Sequence, residues 1–112
     1  MAIIDPQHPL YQWLIDFKYR NAIGTNLLDS IIIDYIEIAR VNVWTQYYQL
    51  PLKELSGRYF IDDNHEWAWD LKTKMATLHL AATYHNNPDS MNKDADPNKM
   101  IIDILGDRVK FI

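Results

Sequence analysis

The sequence predicts an all-α fold: a small helical domain with two long antiparallel helices, shorter N- and C-terminal helices and an extended C-terminal tail. Three observations predict it. Only three Gly and five Pro interrupt 112 residues, which leaves long stretches free for helices. Apolar residues recur at spacings of three and four in four separate segments, the period of a helix with a buried face. Capping and breaking residues stand between those segments, where helices start and stop.

The first segment covers residues 9–19. Asp5-Pro6 or His8-Pro9 opens it, because proline is tolerated where the first backbone donors lack partners anyway. Leu10, Trp13, Leu14 and Phe17 form its apolar face, and residues 21–24 end it. The second segment starts at Thr25 or Asn26, either of which caps a helix, with Asp29 in the first turn. Leu27, Leu28, Ile31, Tyr35, Ile38 and Ala39 form one stripe, with Asp29, Glu37 and Arg40 on the other side. Ile33, Trp44 and Tyr48 fall off that stripe, which is unusual for a monomer. Leu50-Pro51 stops the helix, since the residue before proline avoids helical geometry. Two readings of residues 51–63 stand: 51–55 as one helical turn, and 57–61 as a short strand or a packed loop.

The third segment, residues 65–85, is capped by Asp62-Asp63-Asn64 and stopped by Asn86-Asn87-Pro88. At about 100° per residue, Trp67, Leu71, Met75, Leu78 and Ala82 line one face. Trp69, Ala76 and Leu80 line a second, roughly opposite, with Glu66, Asp70, Thr73, Lys74 and Thr77 as a polar wedge between. Two opposed apolar faces belong to a helix that is central in its own domain, shared with a partner, or both. Ile31, Tyr35 and Ile38 are expected to pack on Leu71, Met75 and Leu78. Residues 88–96 read as a polar surface loop. Asp96-Pro97 then opens a short helix with Met100, Ile101, Ile104 and Leu105 inward and Gly106 as its C-cap. The remaining residues, 107–112, alternate apolar with charged side chains and read as a segment that docks elsewhere.

Composition limits the function. One domain of this length buries roughly 60–70% of the surface its unfolded chain exposes, enough for a core without staples. Hydrophobic residues make up 48%, and there is no cysteine, which removes disulfides and thiolate zinc sites. No stretch approaches the roughly 18 apolar residues of a membrane span. The first six residues lack the basic and apolar regions of a signal peptide, so a soluble chain of the cytoplasm is expected. Net charge is −4 with no basic run, so no grip on nucleic-acid phosphates is expected.

Motifs for chemistry do not converge. His65-Glu66 opens like a zinc-protease helix but lacks a second histidine four residues on, and His79 and His85 point to different sides. The Asp62/Asp63 pair stands at an expected helix N-terminus, where acids are stabilising for structural reasons, and Glu66/Asp70 form a second carboxylate pair. Trp67 and Trp69 lie beside acids, not beside the cations that base stacking needs, so they read as packing residues. No Ser-His-Asp set and no phosphate-binding glycine loop are present. The expectation is no enzyme, no metal and no cofactor: a protein that works by contacting other macromolecules.

Three stretches resemble a known family. They are Leu28-x-x-Ile31-x-x-x-Tyr35-Ile36-Glu37-x-Ala39-Arg40 with Thr45 after it, then Lys74-Met75-Ala76-Thr77-Leu78-His79-Leu80-Ala81-Ala82-Thr83-Tyr84-x-Asn86, then Ile101-x-x-Ile104-Leu105-x-x-Arg108. Together they resemble the head–tail adaptor (head-completion, or head–tail connector) proteins of tailed bacteriophages. Asn87-Pro88 stands where the family often has Arg-Glu, and Gly106-Asp107 where it often has Pro and an aromatic. The resemblance implies a virion protein at the capsid–tail junction, assembled in the host cytoplasm. It would form a homo-oligomeric ring under the portal protein, meet the next neck or tail-completion protein, and let DNA pass without specific binding. On this reading Arg108, Val109, Lys110, Phe111 and Ile112 dock on the portal, and Ile33, Trp44, Trp69 and Leu80 join neighbouring subunits. The alternative is a small phage-encoded protein-binding module that inhibits or regulates a host protein.

Overall fold

In the computed structural model, which describes residues 4–89 and 99–110, α1 (Tyr11–Arg20) buries Leu10, Trp13, Leu14 and Phe17, the four residues its periodicity points inward. His8 and Asp5 start the chain turning: the His8 carbonyl accepts from the Tyr11 N–H and the His8 Nδ1 from the Leu10 N–H. Asn21 closes the helix, its side chain donating to the Phe17 carbonyl at 2.8 Å, and Ala22 then takes a left-handed conformation, φ +55°.

Helix α2 (Asp29–Asn42) runs into a π turn, residues Val43–Tyr47. The wider turn brings Val43, Trp44, Tyr47 and Tyr48 all into the core, more than an α-helical period would admit. Here the expected stripe is corrected. The buried face is Ile32, Ile33, Ile36 and Ala39, joined by Asp29 and Arg40, while Ile31 and Ile38 are 48% and 41% exposed. Apolar residues occupy most of this helix's circumference, so its periodicity alone does not choose a face. Long-range pairs choose it: Asp29 lies 2.9 Å from the Lys18 ammonium on α1, and the Arg40 guanidinium is held by Asp63 and the Ala68 carbonyl.

The all-α expectation is overturned by a hairpin. Strands β1 (Lys53–Leu55) and β2 (Arg58–Phe60) pair antiparallel, Lys53 opposite Phe60, Glu54 opposite Tyr59 and Leu55 opposite Arg58. The two-residue turn is Ser56-Gly57, with φ of +54° and +80°, the left-handed pair that matches strand twist in tight hairpins. The strand residues are all exposed, so no alternation of burial marks them in the sequence.

Residues 61–70 form a run of turns instead of the start of a helix. The Asp62 carboxylate accepts from the Asn64 N–H and the His65 Nδ1 from the Trp67 N–H, each at 3.0 Å. Such local bonds satisfy the backbone outside a helix and delay its start. Helix α3 (Leu71–Asn86) therefore begins six residues later than position 65, with Asp70 as its N-cap accepting from the Thr73 N–H at 3.0 Å. Its buried residues are Thr73, Ala76, Thr77, Leu78, Leu80, Ala81 and Tyr84, so two members of the expected polar wedge are core. Leu71, expected in the core, is 71% exposed. Thr73 is accommodated because its hydroxyl meets that of Tyr48 at 2.5 Å.

Helix α4 (Lys99–Leu105) packs Ile101 and Leu105 on α3, and Gly106, φ +58°, ends it in the left-handed conformation a C-cap favours. The expected start at Asp96-Pro97, and most of the expected polar loop, lie outside the described residues. Among the described residues the architecture is thus four helices and one two-stranded sheet, with helices α2 and α3 of 14 and 16 residues in place of two long ones. α3 sits at the centre, against α1, α2 and α4.

Candidate functional site

Two arginines organise the interior surfaces. Arg40 is buried on α2, with its guanidinium 3.8 Å from the Trp69 ring centre and 5.6 Å from that of Trp13, while the two indoles meet edge to face. Its Nη2 donates to Asp63 at 2.9 Å and to the Ala68 carbonyl at 3.2 Å. Burial lowers the Arg40 pKa, with Asp63 pulling the other way, but guanidinium basicity is high enough that it stays charged at neutral pH. A desolvated cation between aromatic faces is well placed for cation–π attraction. Above it lies an open cleft of about 420 Å3, walled by His8, Glu37, Tyr59, Phe60, Asp63 and Trp69.

Arg108 organises the C-terminal end. It pairs with the Asp70 carboxylate, reaches the Tyr48 hydroxyl at 3.5 Å and lies 4.6 Å from the Trp67 ring centre. Burial acts to lower its pKa, but Tyr48 and Asp70 outweigh that and raise it. Burial likewise acts to raise the Asp70 pKa, and the Thr73 N–H and Arg108 together bring it below its ordinary value. The next turn is stitched down at its backbone: the Lys110 N–H donates to the Tyr47 carbonyl, the Gln49 side-chain Nε2 donates to the Lys110 carbonyl, and Val109 packs on the core.

These positions correct the expected sites. Arg108, Val109 and Lys110 are docked on their own chain, because Asp70, Tyr48 and Trp67 lie within reach to receive them; Phe111 and Ile112 lie outside the described residues. Ile33, Trp44 and Leu80, expected between subunits, are core residues at 5%, 1% and 6% exposure. Trp69 alone of that set reaches the surface, and it does so at the Arg40 cleft.

Three of the four histidines have structural surroundings. His65 packs on Trp44 and Trp67, His85 on Phe17 and Tyr35, and His8 lies 3.7 Å from Glu37. Among the described residues no three His, Asp or Glu side chains come together to hold a metal ion. The carboxylates are likewise placed: Asp62 sits 3.5 Å from Lys53, Asp63 holds Arg40, and Asp70 caps α3.

What remains in water is an apolar face. Leu28, Ile31, Tyr35 and Ile38 follow one another at spacings of three, four and three along α2, and all but half-buried Tyr35 are exposed. That is the spacing by which one helix offers a seam to another. Exposed Asp34 borders it, while Glu37 faces His8 at the Arg40 cleft. Sequence reasoning found this stripe and assigned it to the core; the signal that separates it is the second apolar set, Ile32, Ile33, Ile36 and Ala39, on the same helix.

No protein-family model, curated protein or solved structure matches the chain.

Proposed function

We propose that the protein is a structural assembly subunit, a head–tail adaptor that joins its own copies in a ring under a phage portal. There it extends the DNA channel and meets the next neck protein. The observation that carries the reading is the α2 seam, an apolar face left in water at helical spacing after the core is complete. The resemblance of three stretches to the adaptor family supports the particular assembly. A net charge of −4 supports a channel wall along which DNA slides, since no phosphate is held.

Magnitudes say how such a subunit behaves. Covering four side chains of this kind hides on the order of 300 Å2 of apolar surface, roughly 7 kcal/mol. Association itself costs about 4–15 kcal/mol, so one such contact holds two free copies weakly. A ring seated on a template adds contacts to each subunit and raises the effective concentration of its neighbours.

Mixing the purified chain with the portal of its own phage, followed by imaging and sedimentation, tests the reading. A closed ring of copies on the portal is the expected product. A chain that leaves the portal bare and instead captures one host protein in a one-to-one complex would replace the adaptor with a small inhibitory module.

A further inference from the structure

We infer that the hairpin of one copy lies on the α2 seam of the next, in a head-to-tail contact. This rests on the reading above that the protein assembles with its own copies.

The hairpin is the first observation. A two-stranded hairpin is marginally stable in water unless something covers a face. Among the described residues little does: Tyr59 and Phe60 wall the chain's own Arg40 cleft, yet all six strand residues are exposed, Leu55 at 69% and Phe60 at 46%. Opposite residues in an antiparallel pair share a face, as do residues two apart along a strand. Lys53, Leu55, Arg58 and Phe60 therefore stand together, with Glu54 and Tyr59 on the other side. One face is thus two cations and two large apolar groups, with no acid among them.

The seam is its complement. It presents Leu28, Ile31, Tyr35 and Ile38 with exposed Asp34 alongside, and no cation among these residues. Arg58 and Asp34 each lack an ion-pair partner among the described residues, and Lys53 has only Asp62 at 3.5 Å. Apolar groups meet apolar groups, and opposite charges meet at the border, which favours register and orientation over like-with-like pairing.

The two surfaces also point in different directions. Arg40 and Val41 turn toward the cleft that Tyr59 and Phe60 wall. At about 100° per residue, Leu28, Ile31, Tyr35 and Ile38 lie more than about 100° round the helix from the direction midway between those two. A copy therefore does not cover its own seam with its own hairpin. A contact between two different patches is heterologous, and such contacts propagate into rings or filaments, not closed pairs.

The absence of cysteine makes a direct trap possible. The full chain carrying both D34C and R58C, oxidised at high protein concentration, is expected to give a ladder of dimers, trimers and larger species on a non-reducing gel. Neither single variant alone is expected to give one. Adding I31D to the double variant, at an exposed seam position, is expected to reduce the ladder at least tenfold while circular dichroism shows an unchanged fold. A double variant that stays monomeric or closes a bond within one chain overturns the contact. So does a single variant that dimerises efficiently, since that marks an isologous pairing. Light scattering on the wild-type chain with and without its portal separates the two levels. If copies assemble there but the double variant gives no ladder, only this contact falls. If wild-type copies never assemble, the contact and the adaptor reading fall together.

Discussion

The C-terminal turn around Arg108 and the hairpin around Arg58 are built from similar materials and end in opposite states. Each is a short stretch outside the α-helices, with an arginine and aromatic side chains nearby in sequence or space. Arg108 finds Asp70, Tyr48 and the Trp67 face, and its segment is stitched to the Tyr47 carbonyl. Arg58 makes no ion pair among the described residues, and the residues of its strand are all exposed, with Tyr59 and Phe60 at the edge of the Arg40 cleft. Composition does not separate them. The difference is whether the fold brings receiving groups to the spot, and it does so only at the end where α3 starts and the π turn finishes. One arginine therefore contributes to the monomer's stability, while the other is available to a partner.

The comparison breaks most visibly at Tyr48, which is fully buried beneath the C-terminal turn and bonded to Thr73. Tyr48→Ala is expected to cost roughly 3–5 kcal/mol, the range for emptying a large aromatic site in a core. Urea unfolding followed by tryptophan fluorescence measures this, and a loss under about 1 kcal/mol would mean that the turn does not rest on Tyr48.

Arg108→Ala is the next step down. Its side chain is about one-fifth exposed, so solvent screening discounts the pair, and the expected cost is about 1–2 kcal/mol from the ion pair and the indole contact together. A midpoint within error of wild type would return the tail to the portal-docking role that its sequence suggests.

Acid should loosen the same turn. Asp70 and Asp16 both have folded pKa values below their ordinary ones, Asp16 chiefly through its bond to Lys74. A carboxyl depressed in the folded state contributes stability that is present above its unfolded pKa, about 3.9, and is lost as pH falls through the folded value. Stability should therefore decline below about pH 4. Asp70→Asn, which keeps an N-cap oxygen for Thr73 but removes the charge facing Arg108, should flatten that decline. An identical acid limb in the variant would assign the loss to other carboxylates.

The smallest expected effect is at the hairpin. Arg58→Ala and Tyr59→Ser, both at exposed positions, should shift monomer stability by less than about 0.5 kcal/mol. For Arg58→Ala the same preparation should assemble less readily in sedimentation runs. A large stability loss in either variant would show that the hairpin belongs to the monomer's packing after all, and would erase the contrast with the Arg108 turn.

How much was readable varied with how local the cause was. α1 was legible because Leu10, Trp13, Leu14 and Phe17 are its one continuous apolar face, and burying any other would expose them. The hairpin left a single local mark, Ser56-Gly57 between two short stretches, and no alternation, since neither face is buried. The sequence pattern starts α3 at position 65 because the Asp62 and His65 side-chain bonds that hold the turns before it do not differ in sequence from helix caps.

By itself the sequence determined the breaks after α1 and after the π turn and the end of α3, because proline and capping side chains act within a few residues of themselves. It also determined that more apolar surface is present on α2 than one face can bury. Which face went inside was decided only by the tertiary structure. Asp29 had to meet Lys18, Arg40 had to meet Asp63 and two indoles, and Asn42 had to meet the Tyr84 hydroxyl, each pairing distant elements of the chain. A buried charge without its partner costs several kcal/mol, more than exposing a leucine or isoleucine, so these pairings outweighed the apolar stripe and left the seam in water.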